Sequence, residues 1–453
     1  MAADRRLLTG WGRTAPTAAH VIAVHDDADV KGVLAEPPRR GVIARGLGRS
    51  YGDAAQNAGG VVLDMNGSAG PVALDRATGL VTVSGGTSLD TVMRQLLPRG
   101  WFVPVTPGTR HVTVGGAVAA DLHGKNHHVD GSWMNHVVAL TLALPGGETR
   151  VVSPTNDPDV FWATGGGMGL TGVVTSCTFR AIPVETSRMV VDTTRLPDLD
   201  AVLAAMADSD RHARYTVAWL DVVARGRSLG RSVLTAGDHA PLAAVGDSPE
   251  TALAFDPRVR LGAPALVPGG LLNRVSIQAF NEFWFRKAPA SRRGEVQSIT
   301  TYFHPLDMLR HWNRLYGPRG FVQWQVVVPD EAVDTLRAVI EGLGAAGAAS
   351  FVTVLKRFGA GNRGPLSFPT PGWTLAVDIP AATSGLADVL DGLDRLVVDA
   401  GGRIYLAKDS RVAPELMPAM YPRLGEWQRI QARLDPAGEL QSDLARRLGL
   451  VAP

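Results

Sequence analysis

The residues best suited to chemistry gather first in GVIARGLGRSYGDAAQNAGG, residues 41–60. A short apolar run, Val42-Ile43-Ala44, enters a loop bearing Gly46, Gly48, Gly52, Gly59 and Gly60, with Arg45, Leu47, Arg49, Ser50, Tyr51, Asp53 and Ala54 among them. Glycine accepts positive φ and lets backbone N–H groups converge on an anion such as a phosphate. The spacing Gly46-x-Gly48-x-x-x-Gly52 is not a Rossmann fingerprint, and no Gly-Lys-Ser/Thr closes a Walker loop. An anion-binding loop fits this stretch, and so does a tight strand-to-turn connection.

A second glycine-bearing stretch, PGTRHVTVGGAVAADLHGKNHH, holds Gly108, Thr113, Val114, Gly115, Gly116 and His123-Gly124-Lys125. Its His123, His127 and His128 would need a helix to converge on a metal, and Gly124 argues against one, so no metal is expected. The single cysteine, Cys177, excludes an internal disulfide and a cysteine-built metal site. It reads as an apolar filler on a strand. Gln323 and Gln325 stand two apart in VQWQVVV, which puts both on one strand face and Trp324 on the other. Buried amides need partners, either a sugar or each other across strands. Lys408 in YLAKDSR, taken alone, is a surface lysine after a strand.

The elements that must position these residues alternate. GVIARG, GGVVLDM and GLVTVSGG read as strands. In TSLDTVMRQLLPRG, Ser88 caps a helix whose Leu89, Val92, Met93, Leu96 and Leu97 share one face. VVALTLALPGGETRVV reads as a hairpin, and DVFWATGGGMGLTGVVTSCTFR as a short helix, a glycine-rich turn and a strand through Val174 and Cys177. Beyond residue 186 the strands RYTVAWLDVV, GFVQWQVVVP, SFVTVLKRFG and GWTLAVDIP interleave with three helices. That order suggests an antiparallel sheet covered by helices on one face. Residues 235–290, punctuated by Pro and Gly and carrying the apolar patch APALVPGGLL, read as a long mobile loop region.

At 453 residues, 45% hydrophobic and 19% charged, the chain has room for two or three domains. Forty-five basic against 43 acidic side chains give no field for nucleic acid. The start lacks the apolar core of a signal peptide and no 18-residue apolar run occurs, so any membrane contact is expected to be peripheral. Whether it lies on the cytoplasmic side or in the periplasm stays open.

The order GLGRSYGD, then PGT…VTVGG…HG, then FWATGGGMGLTGVVT resembles the PCMH-type FAD-binding domain of the vanillyl-alcohol oxidase family. The resemblance implies an α+β protein: a two-subdomain FAD-binding domain over 7–185, a substrate domain with a helix-covered antiparallel sheet over 186–402, and a C-terminal segment, 403–453, returning to the FAD domain. It implies cofactor contacts from Ala44 through Ala54, and from Gly108, Thr113–Gly116, Ala120, Asp121, Leu122, His123, Val174 and Tyr405. Many members carry the flavin covalently on a first-loop histidine. Tyr51 stands there in this chain, which implies non-covalent FAD.

LTGWGRTAP, IARGLGRSYGDAAQN, HGKNHH, FHPLDM, GPLSFPTPGW and YLAKDSR are together similar to the branch of that family that oxidises the ribose C2′ hydroxyl of decaprenylphosphoryl-β-D-ribose. The product is a 2′-keto sugar, an intermediate on the way to decaprenylphosphoryl arabinose for cell-wall arabinan in actinobacteria. An NADH-dependent reductase partner and peripheral membrane contact follow from the same resemblance. It casts Lys408, Tyr51 and His123 as catalytic. It casts Lys125, Trp219, Phe303, Gln323, Gln325, Lys356, Phe358, Thr374 and Ala376 as substrate-binding. Mycobacterial members carry asparagine and cysteine where Thr374 and Ala376 stand, and the pair Tyr302-Phe303 is exchanged relative to their order. An alditol or aldonolactone oxidase, and a non-catalytic flavin-fold scaffold for a reductase, remain the rival readings.

Overall fold

Parallel neighbouring strands cannot be joined by a tight turn; they need a crossover of a dozen or more residues. Val42–Arg45 and Val61–Asp64 are such a pair, and the first glycine loop is their crossover. It takes the place of the usual helix. In the computed structural model, which describes residues 4–451 except 247, 258–260, 265–269, 271 and 349, these strands belong to a four-stranded sheet. Its order is Asp4–Leu8, Thr17–Ala23, Val61–Asp64, Val42–Arg45. Helix Asp27–Ala35 covers it with the buried Val30 and Leu34.

A second, five-stranded antiparallel sheet takes the order Ala73–Asp75, Leu80–Ser84, Val173–Arg180, Val137–Ala143, Thr149–Val152. The last two strands form the hairpin expected around Pro145. Ser88 caps helix Leu89–Leu96 by accepting the Thr91 N–H at 3.0 Å, and Leu89, Val92, Met93 and Leu96 are fully buried. Cys177 lies opposite Val83 and Leu140, wholly buried. Burial pushes its thiol pKa well up. Helix Val114–Ala119 was not evident in the sequence, because it is six residues long and two of them are glycine. Thr113 caps it, accepting from the Gly116 N–H at 3.2 Å.

The third sheet has eight strands, all antiparallel. Their order is Ser291–Ser298, Arg188–Leu196, Ser232–His239, Tyr215–Leu220, Thr353–Phe358, Gly372–Pro380, Phe321–Val328, Arg403–Ile404. Helices Leu199–Ser209, Val333–Ala345 and Leu386–Asp399 pack against this sheet. On the helix-covered face, Trp324 Nε1 donates to Asp394 Oδ1 of the last helix at 2.7 Å. Gln323 and Gln325 point the other way.

Residues 235–290 are not one long loop. Positions 235–239 complete a central strand, and Arg274–Lys287 form a helix of 14 residues. Asn273 caps that helix through the Val275 and Ser276 N–H groups. Its regularity is hidden in the sequence because Val275, Phe280, Phe283 and Trp284 stay exposed rather than marking a buried stripe. The patch APALVPGGLL lies mostly outside the described residues.

The chain's end returns to the first sheet. Leu440 bridges Val42, and Arg447 clasps Asp53 through two bonds of 2.8 and 2.9 Å.

Candidate active site

One cavity of about 1310 Å³ runs from the two glycine loops to the open face of the large sheet. Its glycine end is lined by Ala44, Gly46, Leu47, Gly48, Arg49, Ser50, Tyr51 and Ala54, and by Gly108, Thr113, Gly115, Gly116, Ala120 and Leu122. The backbone is close-packed here. A Cβ on Gly46 would collide with the Thr113 side chain, and Gly48 sits at φ +63° against the Arg45 guanidinium. Arg45 stands behind the loop, donating to Ala55 O at 3.0 Å and Thr9 O at 2.7 Å. Arg49 lies over Trp11, 3.8 Å from the ring centre.

The sheet end is lined by Trp219, Phe303, Gln323, Gln325, Lys356, Ala376 and Asp378, with His123, Lys125, Tyr405 and Lys408 between the two ends. Gln325 Nε2 donates to His123 Nε2 at 2.9 Å and to Thr374 Oγ1 at 3.1 Å. The His123 ring is held among Phe358, Phe368 and Tyr405, with centroids 4.8 to 5.6 Å away. Desolvation, with Lys356, His127 and Lys408 adding like charge, holds this imidazole neutral, far below its ordinary pKa.

Three lysines share the cavity. Burial lowers Lys125 to about 7, Lys356 to about 8 and Lys408 to about 7, with Lys356 repelling the other two and Asp378 pulling Lys408 back up. Lys125 donates to Tyr302 O and lies 4.1 Å over its ring. Such a cluster is costly without anions to meet it.

Several buried polar atoms here lack a protein partner: His123 Nδ1, Gln323 Oε1 and Asp378 Oδ2. Buried polar groups are normally satisfied, so these are positions a bound molecule would complete. Among the described residues no group of His, Cys, Asp and Glu is arranged for a metal ion.

Residues 18–153 match the family model described as FAD binding domain. The chain is 46% identical to decaprenylphosphoryl-beta-D-ribose oxidase of Mycolicibacterium smegmatis, over 98% of this chain and 97% of that protein. An uncharacterized Streptomyces coelicolor protein is 40% identical over 80% of this chain and its own full length. L-gulono-1,4-lactone dehydrogenase of Mycobacterium tuberculosis is 30% identical, over 38% of this chain and 39% of that protein. The chain belongs to the decaprenylphosphoryl-beta-D-ribose oxidase family.

FAD is the cofactor of this oxidase-family chain, and the glycine end fits it. The two glycine loops meet at this wall, where a side chain on Gly46 would strike Thr113, so the wall is left to backbone and small residues.

Not every residue singled out in the sequence reaches the wall. Arg45, Gly52, Asp53, Val114 and Asp121 do not line the cavity. Gly52 is packed against the Asp409 carbonyl, Asp53 is paired with Arg447, and Val114 is in the core. Asp121 anchors the second loop from behind, accepting from Ser132, Ser367, Asn362 and the Met134 N–H. Phe358 and Thr374 also stand behind the wall, orienting His123 and Gln325.

Conversely, Asp378, Phe280 and Trp284 line the cavity and were not anticipated. Asp378 was legible in principle: it follows Ala376 by two residues on one strand and so shares its face. The two aromatics come from the helix mistaken for a loop.

Proposed function

We propose that this chain oxidises the C2′ hydroxyl of a polyprenylphosphoryl ribose to the 2′-keto sugar. The observation that carries the reading is the single cavity joining a glycine cradle to a strand face bearing Gln323, Gln325 and Lys356. The name of the M. smegmatis relative supports the substrate class. When bound, FAD supplies the hydride acceptor for a C–H bond next to a hydroxyl.

The chain's own residues do the rest. Gln323 and Gln325 offer amides to sugar hydroxyls, with Gln325 fixed by His123 and Thr374. Lys356 and Lys125 supply charge for the phosphate diester. Lys408 supplies a cation beside the reacting centre, where negative charge accumulates. Tyr51 offers no imidazole to the cofactor, which supports non-covalent binding.

The 2′-keto product calls for a separate NADH-dependent reductase as partner. No described helix is long and apolar enough to cross a membrane. Helix Arg274–Lys287 supports peripheral contact: Val275 is 77% exposed and Phe283 61%, beside Arg286 and Lys287, while Phe280 and Trp284 line the cavity.

The deciding experiment is anaerobic: a synthetic polyprenylphosphoryl ribose should bleach the flavin of the purified holoprotein. Bleaching by alditols or aldonolactones, with none by the lipid-linked ribose, would overturn the reading.

A further inference from the structure

Three carboxylates line the cavity: Asp90, Asp307 and Asp378. Asp90 and Asp307 are both held by Arg110, at 2.6 and 3.4 Å, and Asp90 also by Arg94 at 2.8 Å. Asp378 is wholly buried, and its Oδ1 accepts the Gln323 amide N–H. Its Oδ2 has no hydrogen-bond partner. A buried carboxylate oxygen left open in this way is rare in a folded protein, and here it borders the cavity.

The groups around it come from four elements. Lys408 lies in the C-terminal loop, Tyr51 in the first glycine loop, Tyr316 in the turn Trp312–Tyr316, and Lys356 on the adjacent strand beyond Lys408. Two other groups that could receive a proton are committed. His123 Nε2 already takes the Gln325 amide N–H, so its hydrogen is on Nδ1 and the ring is a donor toward any ligand. Lys125 donates to Tyr302 O.

We propose that Oδ2 of Asp378 is the atom that takes the proton of the sugar hydroxyl. The inference rests on the reading of the cavity as a flavin and sugar site. In the step, the C2′–H bond breaks and its electron pair leaves as hydride to bound FAD. The O–H bond breaks and its proton moves to Oδ2. The C2′–O bond becomes double, and Asp378 is left as a neutral acid. Burial favours this product, since desolvation raises the carboxyl to about 7 while Lys408 acts in the opposite sense.

The test compares the holoprotein with Asp378→Asn, which preserves shape and an acceptor for Gln323, and with Asp378→Glu. Stopped-flow flavin bleaching by a polyprenylphosphoryl ribose is followed against pH. Infrared difference spectra of the resting holoprotein follow carboxyl protonation over the same range. The wild-type rate should rise with pH as Asp378 ionises and fall again as Lys408 loses its proton. Asp378→Asn should bleach at least about a hundredfold more slowly and lose the rising limb, together with one titrating carboxyl band. Asp378→Glu should recover part of the rate and the limb. A wild-type rate in Asp378→Asn overturns the inference, as does a slowed variant that keeps the limb or the full set of carboxyl bands. Should Asp378→Asn lose its FAD, Asp378→Glu decides alone: a shifted limb supports the role and a missing one refutes it. No bleaching of the wild type overturns the functional reading and this inference with it.

Discussion

Lys408 Nζ stands 4.0 Å above the centre of the Tyr51 ring. The two are tied through the backbone as well, because the Tyr51 N–H donates to Ala407 O at 3.1 Å. A cation from the last fifty residues thus caps an aromatic of the first glycine loop, and both line the cavity.

Removing that cation should cost turnover more than folding. Lys408→Ala should retain most of its FAD and lose roughly a hundredfold in flavin reduction, about 3 kcal/mol of transition-state stabilisation. Burial lowers Lys408 to about 7, so the cationic contribution should fade as pH rises through that value. Near-normal anaerobic bleaching by the variant would show that Lys408 only positions Tyr51.

Tyr51 in place of a linking histidine predicts releasable cofactor. Acid precipitation should move all the yellow colour into the supernatant, with the flavin recovered intact as FAD. Colour left on the pelleted chain, and a matching mass increment, would refute non-covalent binding.

Ala376 faces the cavity while Cys177 is sealed in the flavin-side core. The native wild-type chain should therefore resist a thiol reagent, since the thiolate is the reactive form and burial disfavours it. Ala376→Cys should take up one equivalent, more slowly in the holoprotein than after FAD removal. Rapid native labelling of wild-type Cys177 would contradict the strand placement.

Histidines buried in the neutral state predict acid lability. Burial lowers His127 to about 3, with Lys356 and His128 adding to the effect, and it holds His123 and His304 well below the ordinary value. Between pH 6.5 and about 3 the unfolded chain binds protons that the folded chain refuses. Stability from these groups is therefore present above 6.5 and lost as pH falls toward 3. Asp378 acts in the opposite sense, its raised pKa favouring the folded state at low pH. Urea midpoints should drop from pH 7 to 4.5, and His127→Gln should flatten that drop. An unchanged slope would assign acid lability elsewhere.

For the exposed helix, the double substitution Phe283→Glu and Trp284→Glu should weaken cosedimentation with anionic vesicles by roughly tenfold or more, from lost apolar burial. Binding to a long-chain substrate should suffer more than binding to a short-chain one. Equal effects on both, or undiminished vesicle binding, would remove the helix from any lipid role.

Much of this was present in the sequence because it depends on local rules. Ser88 and the spacing of Leu89, Val92, Met93 and Leu96 dictate a capped amphipathic helix. The period of a strand places Gln323 and Gln325 together and Trp324 opposite them. Other features were set by contacts distant in sequence. Arg45, Gly52 and Asp53 belong to the glycine loop, yet they brace it against Thr9, Asp409 and Arg447. Lys408 read singly is a surface lysine; only the closure of the large sheet over the flavin-side loops buries it with Lys125 and Lys356 in one cavity and lowers all three. Helix Arg274–Lys287 is hard to read in the sequence because its apolar residues are divided between solvent, at Val275 and Phe283, and the cavity, at Phe280 and Trp284, with Ile277 the one buried aliphatic, so no continuous core-facing stripe marks it. Asp378 carries no motif of its own, and its open oxygen exists only because the neighbouring strand offers Gln323 to one side of the carboxylate and nothing to the other.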